Sequence, residues 1–560
     1  MRWGVLAKKI HEMLERRRLV FVFAPTGYGK TMASPILLDL ARKSGLASRL
    51  IHVVPTRALL REIYREKFAN TGFHVGYQSM DRLPDGNKSP YFLSDITVTT
   101  VDSFLWNVYK IPVAEISKVI DGRSEGHYYP ALAAIATSIV VFDEAHIYIG
   151  EPGEERADVV TPAVEALYRL GVSTVIATAT MSAKFVERLL SKVGIDRDAV
   201  SAVYACGARC NKHVESLEKI IHVEYVDGLG VEIKWETRLI EEKGVKDEIE
   251  RLCKDGVVLA VANTVERAVE WYRGASCDDK TLIHSRLTEG DREKVEGKMK
   301  EIKGNRRGLI VASPIVEVGV EIDADVLITD AAPLDNLIQR AGRLCRSARA
   351  CEGRVYVVKD SPSIPYDVNE VKTAVERLEL TSGKCVEWRR FDSKRCVPII
   401  DVLNDVQSAR IFSSELLSKY LIKDRPPSAL IKDVEIEKLF RSLSLIGVII
   451  GEKASIDAIG RETFVTSVNT LKWLEGKKKQ CLSIESERVK AWLLVTRKHE
   501  RLLKPISSEV LYKVIYGDAS RWIRGLNREI ADSLEVGEGA LQLFVELKNE
   551  CYKPGEGAYV

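Results

Sequence analysis

The segment at residues 24–31, APTGYGKT, has the side chains of a loop that binds phosphate groups. It follows the apolar run 19–23, which predicts a buried strand, and it precedes a helical pattern over 32–44. In this setting glycines admit phosphates to the backbone N–H groups, a lysine contacts the β/γ-phosphates and a threonine binds Mg²⁺. We expect these residues to bind the nucleotide: Ala24, Thr26, Gly27, Gly29, Lys30 and Thr31.

A second segment, DEAH at residues 143–146, ends another apolar run. Ligands of an open parallel sheet bind at the carboxyl ends of its strands, so this segment should lie beside the phosphate loop. Asp143 would hold Mg²⁺ together with Thr31, and Glu144 would orient and deprotonate the attacking water. His146 has two interpretations: it couples the nucleotide site to a second site, or it is a hydrogen-bonded histidine packed under the loop.

Beyond about residue 255, apolar strand-like runs again alternate with helical patterns, which predicts a second parallel sheet. This half has no phosphate loop, but segment 339–346, QRAGRLCR, carries Arg343 and Arg346 on one face of a predicted helix. Guanidinium groups from a second lobe stabilise phosphoryl transfer only when the lobes close. The alternative is a basic, solvated helix. We also expect Gly319 and Gln339 at the nucleotide.

Together these segments resemble a superfamily 2 helicase with two tandem RecA-like lobes, over about residues 1–360. The segments VPTRAL at 54–59, VTTVD at 98–102 and TAT at 178–180 match further motifs of that family. The resemblance implies an α/β fold, ATP and Mg²⁺ as cofactors, and loops that hold the sugar–phosphate backbone of one strand without reading bases. The residues implied to contact nucleic acid are Pro55, Thr56, Arg57, Thr100, Asn263, Thr264 and Ser313.

A narrower resemblance is to the helicase component of type I CRISPR effector systems. It rests on DEAHIY at 143–148, TATMS at 178–182, and VEVGVEID at 316–323 running into LIQRAGR at 337–343. It implies an ATP-driven single-stranded DNA translocase that moves 3′ to 5′, is recruited by a guide-RNA effector complex and feeds an HD nuclease. Because Lys30 lies near the N-terminus and none of the nine histidines precedes an aspartate, we expect the nuclease to be a separate chain.

Two other functions fit the same residues. One is a DEAH-type RNA helicase or a DNA-repair helicase, which the motifs do not separate because they do not read the 2′-hydroxyl. The other is a nucleotide-switched scaffold that closes on ATP without processive movement. Glu144 argues against the scaffold, which has no need of a hydrolytic carboxylate.

Composition indicates a globular protein: 46% of the 560 residues are hydrophobic and 29% are charged. We expect a RecA-like lobe at 1–205, a second at 206–365, and a mainly helical accessory domain at 366–560. The glycines around 228–230 separate two strand-like runs and predict a hairpin that leads into the second lobe. The net charge of +3 confines nucleic-acid binding to a local groove.

No apolar stretch long enough to span a membrane and no signal peptide appear, so we expect a cytoplasmic protein without a membrane partner. Abundant Lys, Arg and Glu with scarce Gln favour a thermophilic source. Cys206, Cys210 and His213 have the spacing of zinc ligands, but no fourth ligand is evident. A disulfide is a second interpretation, and ordinary thiols are the one we favour.

The stretch 472–504 is basic and contains Trp473 and Trp492. Basic residues beside aromatic ones can hold single strands through phosphate contacts and base stacking. Interspersed glutamates dilute the positive charge. We therefore favour a solvated helix face, with the two tryptophans buried in the core.

Overall fold

A computed structural model describes most of the two expected lobes and parts of the remaining chain. The described residues are 2–79, 83, 86–112, 125–126, 128–149, 159–207, 210–230, 232–346, 350–381, 384–393, 395–406, 421, 445–450, 455, 459, 461–467, 471, 491–497, 500–506 and 540–558.

The first lobe is built on an eight-stranded parallel sheet. Its strands are β1 (Leu19–Phe23), β2 (Arg49–Val54), β3 (Val75–Gln78), β4 (Ile96–Thr100), β5 (Ser138–Phe142), β6 (Ser173–Thr178), β7 (Val200–Ala205) and β8 (His222–Val226). They lie in the order β3-β4-β2-β5-β6-β1-β7-β8. The α-helices of this lobe are α1 (Arg2–Leu14), α2 (Lys30–Ser44), α3 (Arg57–Glu62), α4 (Val101–Val108), α5 (Tyr129–Ala136), α6 (Val160–Arg169), α7 (Ala183–Val193) and α8 (Lys212–Glu218).

The second lobe repeats this design with six parallel strands. They are β9 (Glu232–Ile240), β10 (Val257–Val261), β11 (Lys280–Ile283), β12 (Gly308–Ala312), β13 (Val326–Asp330) and β14 (Ala350–Val358). Their order is β11-β12-β10-β13-β14-β9. The α-helices are α9 (Val245–Leu252), α10 (Val265–Gly274), α11 (Glu289–Asn305) and α12 (Leu334–Ala341). Two parallel sheets, each with connecting helices, confirm the two RecA-like lobes.

The change from one sheet to the other differs from the sequence-based expectation. β8 pairs with β7 in the first sheet, whereas β9 pairs with β14 in the second. The predicted hairpin is therefore wrong, because its two strands belong to different sheets. The first sheet extends to Val226, beyond the expected lobe boundary at 205.

The region after the second lobe is not mainly helical in its described part, so that expectation is wrong there. Two α-helices, α13 (Val368–Leu380) and α14 (Ile399–Val406), are accompanied by strands β15 (Val386–Glu387), β16 (Val397–Pro398), β17 (Leu445–Ile450), β18 (Thr463–Ser467), β19 (Ala491–Arg497), β20 (Glu500–Ile506), β21 (Ala540–Leu547), β22 (Tyr552–Lys553) and β23 (Gly557–Ala558). Five of them form a mixed sheet in the order β18-β17-β21-β19-β20.

The basic stretch 472–504 falls largely outside the described residues. Its last part forms β19 and most of β20, so the helix expectation is wrong from residue 491 onward. Trp492 donates from Nε1 to Glu546 Oε1 at 2.7 Å, across the pair β19–β21.

The favoured expectation of free thiols is also wrong. Disulfides join Cys206 to Cys210, Cys253 to Cys277, Cys345 to Cys351 and Cys385 to Cys396, and Cys551 is disulfide-bonded as well. Both ring nitrogens of His213 are used in hydrogen bonds, with Tyr204 OH and with Met181 O, so His213 does not serve as a zinc ligand here. The described residues contain no cluster of three side chains suited to a metal ion.

One large apolar cluster joins the facing sides of both sheets to the segment 386–403. Trp388 and Phe391 of that segment pack into the cluster with residues of both lobes. The segment therefore packs against both lobes. Among the described helices, none has the length and apolarity needed to cross a bilayer.

Candidate nucleotide and nucleic-acid site

The phosphate loop connects β1 to α2, as the sequence predicts. Gly27 and Gly29 have φ values of 77° and 103°, a left-handed conformation that favours glycine. α2 begins at Lys30, so the loop leads directly to a helix N-terminus, where the dipole favours anions.

The side chains of the loop meet the DEAH segment at the carboxyl end of β5. Lys30 Nζ donates to Ala24 O at 3.0 Å and lies 3.6 Å from Glu144 Oε1. Thr31 Oγ1 donates to Asp143 Oδ2 at 2.8 Å. The structure thus brings the predicted lysine, hydroxyl and two carboxylates together, although they are about 110 residues apart in sequence.

Asp143 remains ionised in a buried position. Burial alone would raise its pKa, but the hydrogen bond and charge of His52, the charge of Lys30 and the hydrogen bond of Thr31 hold the pKa below its usual range. An ionised carboxylate beside a hydroxyl oxygen fits the oxygen ligands that Mg²⁺ prefers. The residues present therefore fit the expected magnesium site.

Glu144 is held in a strained backbone conformation. Its φ of 49° and ψ of 45° are left-handed, which a residue with a side chain rarely adopts. Its Oε2 atom is buried and has no hydrogen-bond partner. An unsatisfied carboxylate oxygen beside the phosphate loop fits a group that accepts a proton from water.

His52 is a member of this site that the sequence analysis missed. It lies fully buried in β2, with Nε2 3.3 Å from Asp143 Oδ2 and Nδ1 3.0 Å from Ser34 Oγ on α2. It therefore links Asp143 to the helix that follows the phosphate loop. The available signal was a single histidine within the otherwise apolar end of a buried strand.

His146 makes the contact between lobes that favours the coupling interpretation. Its Nε2 lies 3.2 Å from Gln339 Nε2 of the second lobe, and its Nδ1 lies 3.2 Å from Thr178 Oγ1. Burial lowers the pKa of His146 to about 4, so the ring is neutral near pH 7. Gln339 was expected at the nucleotide, and the structure places its amide against this histidine.

The arginine pair lies beyond the helix on which it was expected. α12 ends at Ala341, and the following residues turn, so Arg343 and Arg346 do not share a helix face. Gly342 at the helix end allows this turn to approach the first lobe: a Cβ there would lie 2.4 Å from Thr26 Oγ1. The segment is thus in direct contact with the phosphate loop.

Both arginines bond to backbone carbonyls. Arg343 donates to Val320 O at 2.9 Å and to Glu317 O, while Arg346 donates from Nε to Gly342 O at 3.0 Å. Burial, followed by the nearby charge of Arg346, lowers the pKa of Arg343 to about 9. Burial also lowers the pKa of Arg346. A buried and a half-buried cation close together favour an anion between or beside them.

Asn263 has a structural position that its predicted role did not anticipate. It is 3% exposed, its Nδ2 donates to Ala331 O at 2.8 Å, and its Oδ1 accepts from Arg340 Nη2 at 3.0 Å. Arg340 also pairs with Glu317 at 2.8 Å, in a buried network within the second lobe. A direct contact of Asn263 with nucleic acid does not fit, because its amide is already satisfied.

The other predicted strand-binding residues lie at the carboxyl ends of strands. Thr56 and Thr264 are N-caps: their hydroxyls accept from Leu59 N at 3.2 Å and Arg267 N at 3.3 Å. Thr100 and Ser313 occupy the corresponding positions before α4 and a 3-10 turn. Pro55 and Arg57 flank Thr56 and are half-buried.

Gly319 was expected at the nucleotide, but the structure places it against the predicted strand-binding loop at Thr56. A Cβ on it would lie 3.0 Å from Leu59 N and 3.2 Å from Thr56 Oγ1. The contact therefore joins the second lobe to the first predicted strand-binding loop, and no contact of Gly319 with the phosphate loop is described.

Two family models match the chain in the lobes just described. The model of the DEAD/DEAH box helicase matches residues 6–189, and that of the CRISPR-associated nuclease/helicase Cas3, C-terminal, matches residues 254–349. These two matches support a CRISPR-associated superfamily 2 helicase. The chain is 26% identical over 401 residues to the CRISPR-associated helicase Cas3 of Thermoproteus tenax, covering 70% of this chain and 64% of that one.

A second relative is the CRISPR-associated nuclease/helicase Cas3 of Methanothermobacter thermautotrophicus. The two are 24% identical over 459 residues, covering 76% of this chain and 51% of the relative. The chain thus spans between half and two thirds of the length of these curated relatives. Both come from thermophiles, in line with the composition.

Solved structures support the two-lobed fold of this chain. T. fusca Cas3 with AMPPNP superposes with a TM-score of 0.56 at 16% identity, covering 83% of this chain and 64% of that one. A CRISPR RNA-guided surveillance complex in a pre-nicking state superposes with a TM-score of 0.53 at 16% identity, covering 83% and 62%.

Proposed function

We propose that the chain is an ATP-hydrolysing motor that translocates along single-stranded DNA, 3′ to 5′, in CRISPR interference. One observation carries the proposal: the nucleotide site is assembled from both lobes. Lys30 and Glu144 of the first lobe face the segment of Arg343 in the second, across the contact of His146 with Gln339. Closure of the two lobes is therefore part of the catalytic arrangement.

Each residue has a distinct role in this proposal. Lys30 binds the β/γ-phosphates, and Thr31 with Asp143 holds Mg²⁺, which neutralises phosphate charge when bound. Glu144 orients the attacking water and accepts its proton. Arg343 and Arg346 give up carbonyl partners for phosphate oxygens as the lobes close on the nucleotide.

Strand binding is proposed for the helix starts that face the same edge of each sheet. Thr56, Thr100, Thr264 and Ser313 mark these starts, where the first N–H groups of a helix have no partner inside the helix itself. Phosphates bind to such N–H groups without sequence preference. Since Gly319 contacts the loop at Thr56, a change at the nucleotide has a short path to the strand.

The names of the relatives motivate the proposed partners. The Thermoproteus tenax relative is described as a helicase, while the others are described as nuclease/helicases. One solved neighbour is described as a guide-RNA surveillance complex. We therefore propose a guide-RNA effector complex as recruiter and a separate HD nuclease as the enzyme that receives the strand.

The test is steady-state ATP hydrolysis without nucleic acid, with single-stranded DNA and with single-stranded RNA, each beside Lys30→Ala. Strong stimulation by DNA that is lost in the variant supports the motor. Displacement of streptavidin from biotin at the 5′ end of a strand, but not at the 3′ end, supports the direction.

The same experiment separates the two alternatives. Stimulation by RNA in place of DNA favours an RNA helicase. Hydrolysis that neither nucleic acid changes, with no displacement from either end, favours a nucleotide-switched scaffold.

A further inference from the structure

Arg389 is a buried cation from outside both lobes that contacts the nucleotide site. It lies in the loop 385–396, which the Cys385–Cys396 disulfide closes. Arg389 is only 4% exposed, and its Nε atom has no hydrogen-bond partner. Nothing in the phosphate-loop or arginine motifs predicts a charged residue here, because it lies more than 350 residues beyond the phosphate loop.

The guanidinium of Arg389 joins the two lobes. Its Nη1 donates to Leu344 O at 3.0 Å and to Cys345 O at 2.6 Å, between Arg343 and Arg346 in sequence. Its Nη2 lies 3.4 Å from Thr26 O in the phosphate loop. A Cβ on Gly27 would lie 3.0 Å from the same nitrogen, so the loop approaches Arg389 closely.

The loop that carries Arg389 is fixed on both sides. Trp388 donates from Nε1 to Thr237 Oγ1 of the second lobe at 2.9 Å. On the first lobe, Asn211 donates from Nδ2 to Phe391 O at 2.9 Å. Arg389 therefore cannot follow one lobe freely when the lobes separate, because its loop is anchored to both.

We propose that Arg389 is a positioning residue for hydrolysis, which holds the segment of Arg343 and Arg346 against the phosphate loop when the lobes are closed. It acts through backbone carbonyls of the two segments and does not touch the phosphates. The buried guanidiniums of Arg343 and Arg389 and the half-buried one of Arg346 then lie around one loop, and the phosphates of a bound nucleotide offset their mutual repulsion. Nucleotide binding thereby favours the closed arrangement that Arg389 maintains.

Arg389→Met tests this proposal, since it keeps the unbranched stem of the side chain and removes the guanidinium that forms the bridge. Arg389→Lys keeps the charge but removes the planar fork that reaches carbonyls of both lobes. Arg377→Met, on the exposed face of α13, is the matched control. We expect Arg389→Met to lower kcat for ATP by about 10- to 100-fold, with KM changed less than about 3-fold. The kcat of Arg389→Lys should lie between those of the wild type and Arg389→Met.

Two further readouts distinguish positioning from general stability. The effects of Arg389→Met and Arg343→Lys on kcat should be non-additive, because both act on one segment. In addition, energy transfer between dyes at Leu170→Cys and Lys300→Cys, exposed on different lobes, should rise with a non-hydrolysable ATP analogue in the wild type and less in Arg389→Met.

The inference rests on the proposed ATP hydrolysis, but the energy-transfer readout does not need turnover. Wild-type protein without any hydrolysis would refute the proposed function alone. Full closure and wild-type kcat in Arg389→Met, or additive effects with Arg343→Lys, would overturn the role of Arg389. If Arg389→Met does not fold, a kcat in Arg389→Lys equal to that of Arg377→Met overturns it as well.

Discussion

The two halves of the nucleotide site differ in how their charged groups are satisfied. In the first lobe, Lys30 pairs with Glu144 and with Ala24 O of the phosphate loop, and Asp143 accepts from Thr31, so these groups are already held at the loop. In the second lobe, Arg343 and Arg346 donate to carbonyls of their own lobe. The first half is therefore a preformed binding site, whereas the second must exchange hydrogen bonds before it contacts a nucleotide.

This difference assigns nucleotide binding to the first lobe and the response to bound nucleotide, here called sensing, to the second. A preformed site binds without paying for rearrangement, and a site that rearranges responds to its ligand. The carbonyls that Arg343 occupies belong to Glu317 and Val320, on either side of Gly319. Gly319 contacts the strand-binding loop at Thr56. When Arg343 releases these carbonyls, a movement of the segment around Gly319 can therefore reach the bound nucleic acid.

The largest effect is expected from Lys30→Ala, which removes the cation of the preformed half. Turnover with single-stranded DNA should fall about 10³-fold, with ATP affinity also reduced. Lys43→Ala, on the exposed end of α2, is the control and should remain near wild type. Equal turnover in the two variants would mean that the preformed half is not where ATP binds.

Glu144→Gln should lower turnover by about 10²-fold or more while ATP binding is retained, because only proton acceptance is lost. The protein should then stay bound to both ATP and DNA, which a filter-binding assay detects. Glu187→Gln alters an exposed surface ion pair and serves as the control. Wild-type hydrolysis by Glu144→Gln would assign the proton acceptor to another residue.

A smaller effect is expected at the contact between the halves. His146→Ala removes the hydrogen bond to Gln339 and should reduce the stimulation of ATPase by DNA about 5- to 10-fold, with little change in turnover without DNA. His222→Ala, at an exposed strand end, is the control. An equal fall of basal and stimulated turnover would contradict a coupling role.

The smallest expected effect concerns pH and stability rather than the site. Burial lowers the pKa of His213 to about 4, below the ordinary value of 6.5. Between these values the unfolded chain binds more protons, so the free energy of unfolding should fall as pH drops from about 6.5 to about 4. His213→Gln should reduce this fall in the free energy of unfolding by about 1 to 3 kcal/mol, measured from urea unfolding at several pH values. An unchanged slope would show that His213 is protonated in the folded state.

The preformed half could be predicted from the sequence, and the sensing half only in part. Strand β1, the phosphate loop and α2 follow from local periodicity and from glycines at left-handed positions. The contact of His52 with Asp143 depends on the pairing of β2 with β5, which no local pattern specifies. Such long-range pairing decides which polar side chain of a buried strand meets the site.

In the second half, the residue types indicated the motifs, but the sequence did not predict the local conformation or the hydrogen-bond partners of these residues. Arg343 and Arg346 have helical spacing, yet Gly342 ends the helix and turns the chain against Thr26. Asn263 matches a strand-binding motif, but its amide is satisfied by Arg340 and by backbone carbonyls. The C-terminal sheet was missed because most of its strands are separated by long stretches with helical sequence patterns.

The most direct test of the division between the lobes is to measure ATP affinity and single-turnover hydrolysis on the same sample of Arg343→Ala, with single-stranded DNA present. The account predicts an affinity within about 10-fold of the wild type and hydrolysis lowered about 10³-fold, because the first lobe alone binds. Bound ATP hydrolysed at the wild-type rate, or binding lost as fully as in Lys30→Ala, would contradict it.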